Sequence, residues 1–348
     1  MTMLFRLHQN IRLLNTFRIG LAILTVFLIS ACSSRLEIYH RSQYQMGTIV
    51  ELTVVAPSEN SADEAMTAGF SEIRRLDELL SVYKENSEYS KINQMAGIEP
   101  VAVSPDTFVL IQKGLEAGKM TDGGFDIAIG PAVKLWGVTD AQHIPSPEEL
   151  KQIKPLVAMD KVVIDPVRRT VFLKEKGMRI DSGGNGKGFA ADKVKTILLN
   201  HGIQSGIVAL AGDLKVFGKK PNGELWRVGI SHPRIKGKVL AYLDLTDKAI
   251  STAGDYERFF MKNGIIYHHI LDPKTLQPAR ECQSVSLVSD EGIIADSLDT
   301  GIFVMGAEKG MALIEKLPYL GGVIVDKNGN ILVSSNLKDK IKFPSPDP

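Results

Sequence analysis

A glycine-rich turn lies near the middle of the chain, with the sequence IDSGGNGKGFAAD at residues 180–192. The pattern predicts an extended segment that enters the turn and a helix, expected over residues 188–199, that leaves it. Such a turn lets backbone groups and a helix N-terminus approach a phosphate closely. It is not a Walker loop, because Gly188 follows Lys187 where Ser or Thr is required. It does not match GxGxxG either, and a tight turn with a purely structural role is the alternative.

The elements on both sides of this turn favour an α+β fold with mixed sheets and packed helices. Before the turn, apolar residues at helical spacing predict a helix over residues 61–80, and Ser-Pro pairs at residues 104 and 146 open two more. After it, helices are expected over residues 295–305 and 307–317. Because no βαβ repeat is regular, a doubly wound sheet is disfavoured. The predicted strands of the second half are 206–210, 214–217, 226–230, 239–245, 265–271 and 285–288.

The segment ADSLDTG at residues 295–301 is rich in oxygen ligands. If a helix starts here, Asp296, Asp299 and Thr300 stand at positions i, i+3 and i+4 and share one face. Two carboxylates and a hydroxyl suit Mg²⁺ or Ca²⁺ better than zinc. The alternative is an Asp N-cap followed by first-turn acids that the helix dipole favours.

Two further segments are candidates for a ligand site. TDGGFDIAIGP at residues 121–131, followed by Trp136, places glycines around an aromatic ring, which suits a flat ligand, although a loop with a buried Phe and Trp is the alternative. In YHHILDP at residues 267–273, a histidine near an acid can serve as a base or proton shuttle. Adjacent histidines on a strand point to opposite faces, so metal binding by the pair is disfavoured. A structural histidine at the end of a strand is the alternative.

The N-terminus has the layout of a bacterial lipoprotein signal. Three arginines precede an apolar run over residues 19–29, which is too short to span a bilayer comfortably. The run ends in LISAC at residues 28–32, which resembles a lipobox, so Cys32 is predicted to be acylated and to become the new N-terminus. A plain N-terminal anchor with an incidental cysteine is the alternative. The predicted organisation is a signal peptide over 1–31, a tether over 32–45, a folded domain over 46–340 and a tail over 341–348.

The charge balance disfavours nucleic acid as a partner. The 348 residues include 41 Lys and Arg against 40 Asp and Glu, so the formal net charge is +1, and phosphate-backbone binding needs a basic surplus. Three arginines leave with the predicted signal peptide, so the mature chain is slightly acidic. The two cysteines, Cys32 and Cys282, exclude a disulfide framework, and Cys282 is expected to be a lone thiol.

Taken together, these segments resemble the ApbE family, bacterial flavin transferases that use FAD to attach FMN covalently to proteins. The resemblance runs from Met46 to Gly306. After MGT at residues 46–48 it comprises, in order, SVYK (81–84) with Ser87, GFD (124–126) through Trp136-Gly137, 181–192, Gly212-Asp213, ISTAG (250–254), HILDP (269–273) and ADSLDTG (295–301).

The resemblance implies an ApbE-like fold and a set of site residues. Mg²⁺ would be held by Asp296, Asp299, Thr300 and a backbone carbonyl of the Gly184 turn, and His269 matches the family's histidine near the reacting phosphate. The chain departs from the family pattern at Ser182, Asn185-Gly186, Ala211 and Ala253, and the first two lie where the FAD diphosphate is expected. The implied FAD contacts are Met46, Tyr83, Gly124, Phe125, Asp126, Asp181, Lys187 and Leu271.

The implied activity is a Mg²⁺-dependent transfer of FMN. A Thr or Ser hydroxyl of an acceptor protein would attack the FMN-side phosphorus of FAD, AMP would leave, and His269 or Asp272 would take the proton. The family's acceptors are extracytoplasmic redox proteins, which fits a lipoprotein that faces the periplasm from the inner membrane. The alternatives are hydrolysis of FAD to FMN and AMP, or an FAD-binding lipoprotein without chemistry. The hard-cation face disfavours the last, because binding alone does not require it.

Overall fold

The computed structural model describes residues 35–345. The predicted signal peptide and Cys32 therefore lie outside the described residues. No helix within the described range is both long and apolar enough to cross a bilayer.

The helices are α1 (Glu59–Leu80), α2 (Glu88–Gln94), α3 (Pro105–Met120), α4 (Gly130–Trp136), α5 (Pro147–Ile153), α6 (Gly186–Asn200), α7 (Gly292–Met305) and α8 (Ala307–Lys316). The strands are β1 (Glu37–Gln45), β2 (Thr48–Ala56), β3 (Val101–Ala102), β4 (Val162–Asp165), β5 (Thr170–Leu173), β6 (Gly206–Leu210), β7 (Asp213–Phe217), β8 (Trp226–Ser231), β9 (Val239–Leu245), β10 (Lys248–Gly254), β11 (Phe259–Lys262), β12 (Ile265–His268), β13 (Cys282–Ser289), β14 (Gly321–Asp326) and β15 (Ile331–Val333).

An eight-stranded sheet forms the centre of the fold, in the order β1-β2-β6-β7-β10-β13-β14-β15. Each of its ladders is antiparallel. Helices α1, α6 and α7 pack on one face of the sheet and the β8–β9 ribbon packs on the other, so each face has its own apolar core. Helices on one face of an antiparallel sheet confirm the predicted α+β class.

Helix α1 shows how the apolar spacing builds the larger core. Ser58 caps its N-terminus by accepting a hydrogen bond from the amide of Ser61, and its buried residues recur every three or four positions. They meet the inward side chains of β2 and the apolar face of α6. The helix predicted over 61–80 is thereby confirmed, as is the helix that leaves the glycine-rich turn.

Two predicted boundaries are wrong. The tether expected over 32–45 is wrong for residues 37–45, because these form β1 and pair along their whole length with β2. The tail expected over 341–348 is wrong at its start, because Lys342 exchanges two backbone hydrogen bonds with Tyr242, of 2.9 and 2.8 Å. Residues 37–45 look polar and aperiodic in the sequence because an edge strand leaves much of its surface in solvent.

Helices α6 and α7 cross at a point where both backbones carry glycine. A Cβ on Gly292 would lie 2.5 Å from the carbonyl oxygen of Gly188, and a Cβ on Gly188 would overlap the carbonyl oxygen of Gly292. The close approach lets the amide of Gly188 donate a 2.7 Å hydrogen bond to Asp296 Oδ2. The crossing thus joins the glycine-rich turn to the acidic segment.

We expect Gly188→Ala to lower the free energy of unfolding by about 2 kcal/mol, because the added methyl group must force the two helices apart. Gly186→Ala is the matched control on the same helix, since its Cβ would meet nothing closer than 3.6 Å. Urea denaturation of both variants measures the difference. Equal stability of the two variants would contradict the proposed contact.

Candidate active site

Three buried carboxylates come together between β7 and α7. Asp213 begins β7, while Asp296 and Asp299 lie one turn apart on α7. All three side chains are buried, and each offers an oxygen within 4.8 Å of those of the other two. The predicted pairing of Asp296 with Asp299 on one helix face is confirmed. The N-cap alternative is wrong, because α7 starts at Gly292 and places Asp296 inside the helix.

The cluster carries more negative charge than its own cation neutralises. Burial, and then the charge of Asp213, raises the pKa of Asp296 to about 7. Burial and the charges of its two neighbours raise the pKa of Asp299 well above its usual value. The ammonium of Lys187 contacts Asp213 and lies 3.9 Å from Asp296 Oδ1. Burial alone would lower the pKa of Lys187, but the surrounding carboxylates outweigh it and raise that pKa.

Neighbouring hydroxyls orient the carboxylates. Ser251 Oγ lies between two of them, in contact with Asp213 Oδ1 and 2.6 Å from Asp299 Oδ2, and its single proton can be donated to only one of the two at a time. Thr300 Oγ1 donates to Asp299 Oδ1 at 3.2 Å. Gly184 lies beside them, since a Cβ there would be 3.6 Å from Thr300 Oγ1. The donor set is entirely oxygen and its charge is net negative, which fits a hard divalent cation such as Mg²⁺.

Sequence reasoning missed the part that Asp213 and Ser251 take in this cluster. Both belong to segments of the family resemblance, but no role was predicted for either. Their neighbours in the chain are ordinary strand residues, and only the sheet brings them to α7. A strand that begins with Gly-Asp next to a predicted acidic helix is the signal that points to Asp213.

His269 follows β12 and is held in one tautomer. Its Nδ1 lies 3.1 Å from the carbonyl oxygen of Arg258, which can only accept, so Nδ1 carries the proton and Nε2 carries the lone pair. Burial lowers the pKa of His269 to about 4, and the nearby charges of Arg258 and Lys187 act in the same direction. The imidazole is therefore neutral at pH 7.

The two residues predicted near His269 differ in their surroundings. His268 is the last residue of β12 and is buried, with its Nε2 2.7 Å from the carbonyl oxygen of Ala279. Asp272 lies in the following turn, where its carboxylate accepts from the amide of Lys274 at 2.8 Å and from Thr275 Oγ1 at 3.2 Å. Both oxygens of Asp272 are thus engaged within the turn.

Arg258 connects several of the predicted FAD contacts and was itself missed. Its guanidinium lies 3.4 Å from the carbonyl oxygen of Gly47 in the β1–β2 turn. Its charge also acts on Tyr83, whose side chain is largely exposed, and on Asp181, whose pKa is raised chiefly by burial. Since the tautomer of His269 depends on the backbone carbonyl of Arg258, no side-chain motif could reveal that role.

The remaining predicted contacts lie around the glycine-rich turn or behind it. The side chain of Met46 lies next to Gly186, and the ring of Phe125 next to Gly184, while Gly124 packs against the backbone of Gly301. Asp126 accepts a 2.7 Å hydrogen bond from the amide of Ala128, and burial raises its pKa to about 6. Leu271 is buried in the small core around Trp136.

The two departures in the glycine-rich turn have structural partners. Ser182 Oγ donates to the carbonyl oxygen of Leu80 at 3.0 Å. The buried amide of Asn185 donates to the carbonyl oxygen of Leu110 at 3.2 Å. Both side chains therefore attach the turn to helices α1 and α3.

The ApbE family model matches residues 46–324. This chain belongs to the ApbE family. An FAD:protein FMN transferase of Klebsiella pneumoniae is 32% identical and covers 86% of this chain and 92% of its own length. An FAD:protein FMN transferase of Treponema pallidum is 30% identical, and the match covers 94% of this chain and 95% of that protein. The ApbE protein of Thermotoga maritima has a similar structure, with a TM-score of 0.82, 31% identity, and 87% of this chain and 99% of that chain covered. The structure of the flavin transferase ApbE of Vibrio cholerae matches with a TM-score of 0.80 at 28% identity, and the match covers 88% of this chain and 99% of that chain.

We expect the cation-free ApbE domain to lose stability as pH rises from about 4 to about 7. A carboxyl group whose folded pKa is raised binds protons more tightly in the folded state, and this advantage disappears once pH exceeds that pKa. Mg²⁺ should stabilise the protein more at pH 8 than at pH 5, because protons compete for the ligands. Melting temperatures with EDTA or Mg²⁺ at both pH values measure this.

Asp299→Asn is the matched variant for that experiment. It should raise the melting temperature in EDTA at pH 8 by a few degrees, because one buried charge is gone, and it should abolish the response to Mg²⁺. A variant that responds to Mg²⁺ as the parent does would remove Asp299 from the cation site.

Proposed function

We propose that this chain transfers FMN from FAD to a Thr or Ser hydroxyl of an acceptor protein, with release of AMP, and that the reaction requires Mg²⁺. The transferase class follows from membership of the family, whose relatives described above are FAD:protein FMN transferases. The carboxylate cluster, with Lys187 in it and His269 nearby, is the observation that supports the metal-dependent form of the reaction.

The residues of the cluster divide into ligands and supports. Asp213, Asp296 and Asp299 supply the buried oxygens, Thr300 and the Gly184 turn lie beside them, and Ser251 holds two of the carboxylates in place. Bound there, Mg²⁺ would neutralise charge on the FAD diphosphate and on the leaving AMP. Lys187 supplies a positive charge at the same point, and the glycines of the turn let backbone amides approach the phosphates.

His269 is the group that we assign as the base. Its Nε2 lone pair is available at neutral pH because the imidazole is neutral, and the bond from Nδ1 to Arg258 fixes the ring. A diphosphate beside the ring would favour the imidazolium that forms when Nε2 takes the hydroxyl proton. Asp272 is less suited to this role, since both of its oxygens already accept hydrogen bonds in the turn.

Hydrolysis of FAD is the second candidate reaction, since water could replace the acceptor hydroxyl at the same site. Simple FAD storage is disfavoured by the cluster itself. Three buried carboxylates beside one ammonium destabilise the cation-free fold, and binding without chemistry does not require them.

We also propose that the protein is a lipid-anchored lipoprotein of the cell envelope. The charged start, the short apolar run and Cys32 after Ser30-Ala31 support this. An acylated Cys32 would hold the domain at the inner membrane on the periplasmic side, where an extracytoplasmic redox acceptor is accessible. Mass spectrometry of Cys32 in the membrane fraction tests the anchor, and an unmodified N-terminus would overturn it.

Residues 35–348, incubated with FAD, Mg²⁺ and a redox protein that carries a Thr or Ser site, should add FMN to that side chain. Intact-protein and peptide mass spectrometry detect the increment. Release of AMP in the absence of any acceptor would favour the hydrolase, and binding of FAD without either product would favour storage.

His269→Asn should lower the rate of transfer by about 100-fold or more, because the general base is lost. FAD affinity, measured by flavin fluorescence, should change little. Asp272→Asn is the matched control: the amide oxygen can keep the turn, so transfer should stay within a few-fold of the parent. A large loss in Asp272→Asn with little loss in His269→Asn would reverse the assignment.

A further inference from the structure

Asp192 is the last residue of the glycine-rich segment 180–192. It is neither a proposed cation ligand nor a proposed FAD contact. It lies on α6, one helical turn beyond the crossing glycine Gly188. Its Oδ2 accepts a hydrogen bond of 3.1 Å from the amide of Ile293, in the first turn of α7. Its Oδ1 lies 3.0 Å from the ammonium of Lys215, close enough for an ion pair. One carboxylate thus contacts two elements besides its own helix.

Lys215 is a buried lysine on β7. Only 4% of the residue is exposed, and its ammonium also donates to the carbonyl oxygen of Asp290, in the loop that leads into α7. Lys215 stands two positions after Asp213, so both side chains leave the strand on the same face. That face is the one on which α7 packs.

The Asp192–Lys215 pair therefore joins the three elements that build the carboxylate cluster. Helix α6 carries Lys187, strand β7 carries Asp213, and helix α7 carries the other two carboxylates. Ile293, which Asp192 contacts, is three residues before Asp296 and so lies one turn from it on α7. The contact holds the N-terminal part of α7, which carries Asp296, at a set distance from β7.

Such a link is needed because the cluster repels itself. Asp213 on β7 and the two carboxylates on α7 are held close together with a single ammonium among them, so repulsion acts to separate strand and helix. A cation binds tightly only if its ligands already stand at the right separation. The ion pair between the buried Lys215 and the half-buried Asp192 resists that separation.

We propose that Asp192 and Lys215 are positioning residues of the cation site: their ion pair sets the spacing between Asp213 on β7 and Asp296 and Asp299 on α7, and thereby the affinity for the divalent cation. This inference rests on the proposed function only in that the cluster binds such a cation. Neither residue is assigned a contact with FAD or the acceptor.

Binding of Mn²⁺, followed by electron paramagnetic resonance on residues 35–348 without FAD, tests this independently of turnover. Asp192→Asn keeps an oxygen for the amide of Ile293 but removes the ion pair. It should weaken Mn²⁺ binding by about 10-fold to 100-fold, the range for residues that support metal ligands. Transfer at saturating Mg²⁺ should recover to within a few-fold of the parent, with the KM for FAD unchanged.

Lys193→Met is the matched control. Lys193 is the next residue on α6, and its ammonium pairs at 2.6 Å with Asp106 of α3, away from β7 and α7. Removing this pair should leave Mn²⁺ affinity unchanged. An equal loss in Lys193→Met and Asp192→Asn would overturn the proposal, because general loosening of α6 would then explain both.

The double variant Asp192→Asn/Lys215→Met covers the case in which a single variant does not fold. Replacing both members of an ion pair leaves no lone charge and is commonly tolerated, while the link between β7 and α7 is still lost. If the double variant folds and binds Mn²⁺ more weakly than the parent, the proposal is supported. If it binds Mn²⁺ as tightly as the parent, the proposal is overturned. If the parent itself binds no Mn²⁺, the proposed cation site is overturned together with this inference. If the parent binds Mn²⁺ and the variants bind it equally tightly, only this inference is overturned.

Discussion

Like charges held together in a buried space are the constraint on which the structure around the site depends. Asp213, Asp296 and Asp299 lie within reach of one ion, and Lys187 neutralises only part of their charge. Burial raises the pKa values of Asp296 and Asp299, which is the physical sign that their ionised forms are costly without a cation. The sheet and two helices must hold these groups in place against their own repulsion.

The glycine crossing of α6 and α7 is the element that makes this arrangement possible. Because neither Gly188 nor Gly292 has a side chain, the two backbones approach closely enough for an amide of one helix to bind a carboxylate of the other. The same crossing places the turn at residues 182–186 against Thr300. The glycine-rich turn and the carboxylate cluster are thus brought together by the close approach of the two backbones.

The sequence predicted those features that depend on local periodicity. The apolar spacing of α1 and the i, i+3 relation of Asp296 and Asp299 are properties of a single helix, so they can be read from the chain. Asp213 and Ser251 join the cluster through sheet pairing between distant segments, which no local pattern encodes. Arg258 orients His269 with a carbonyl group that every residue possesses, and β1 was missed because an edge strand does not need a continuous apolar face.

Strand β1 also determines how far the reaction centre stands from whatever holds the N-terminus. Its nine residues are paired throughout with β2, so they form a stiff rod about 30 Å long. The strand begins five residues after Cys32 and ends just before Met46, whose side chain lies next to Gly186 of the glycine-rich turn. If Cys32 carries a lipid, the chain from Cys32 to the start of β1 at Glu37 can span at most about 17 Å. The end of β1 next to Met46 would then lie no further from the acylated Cys32 than the combined length of this connection and the strand, and an acceptor hydroxyl well beyond that reach could not be modified.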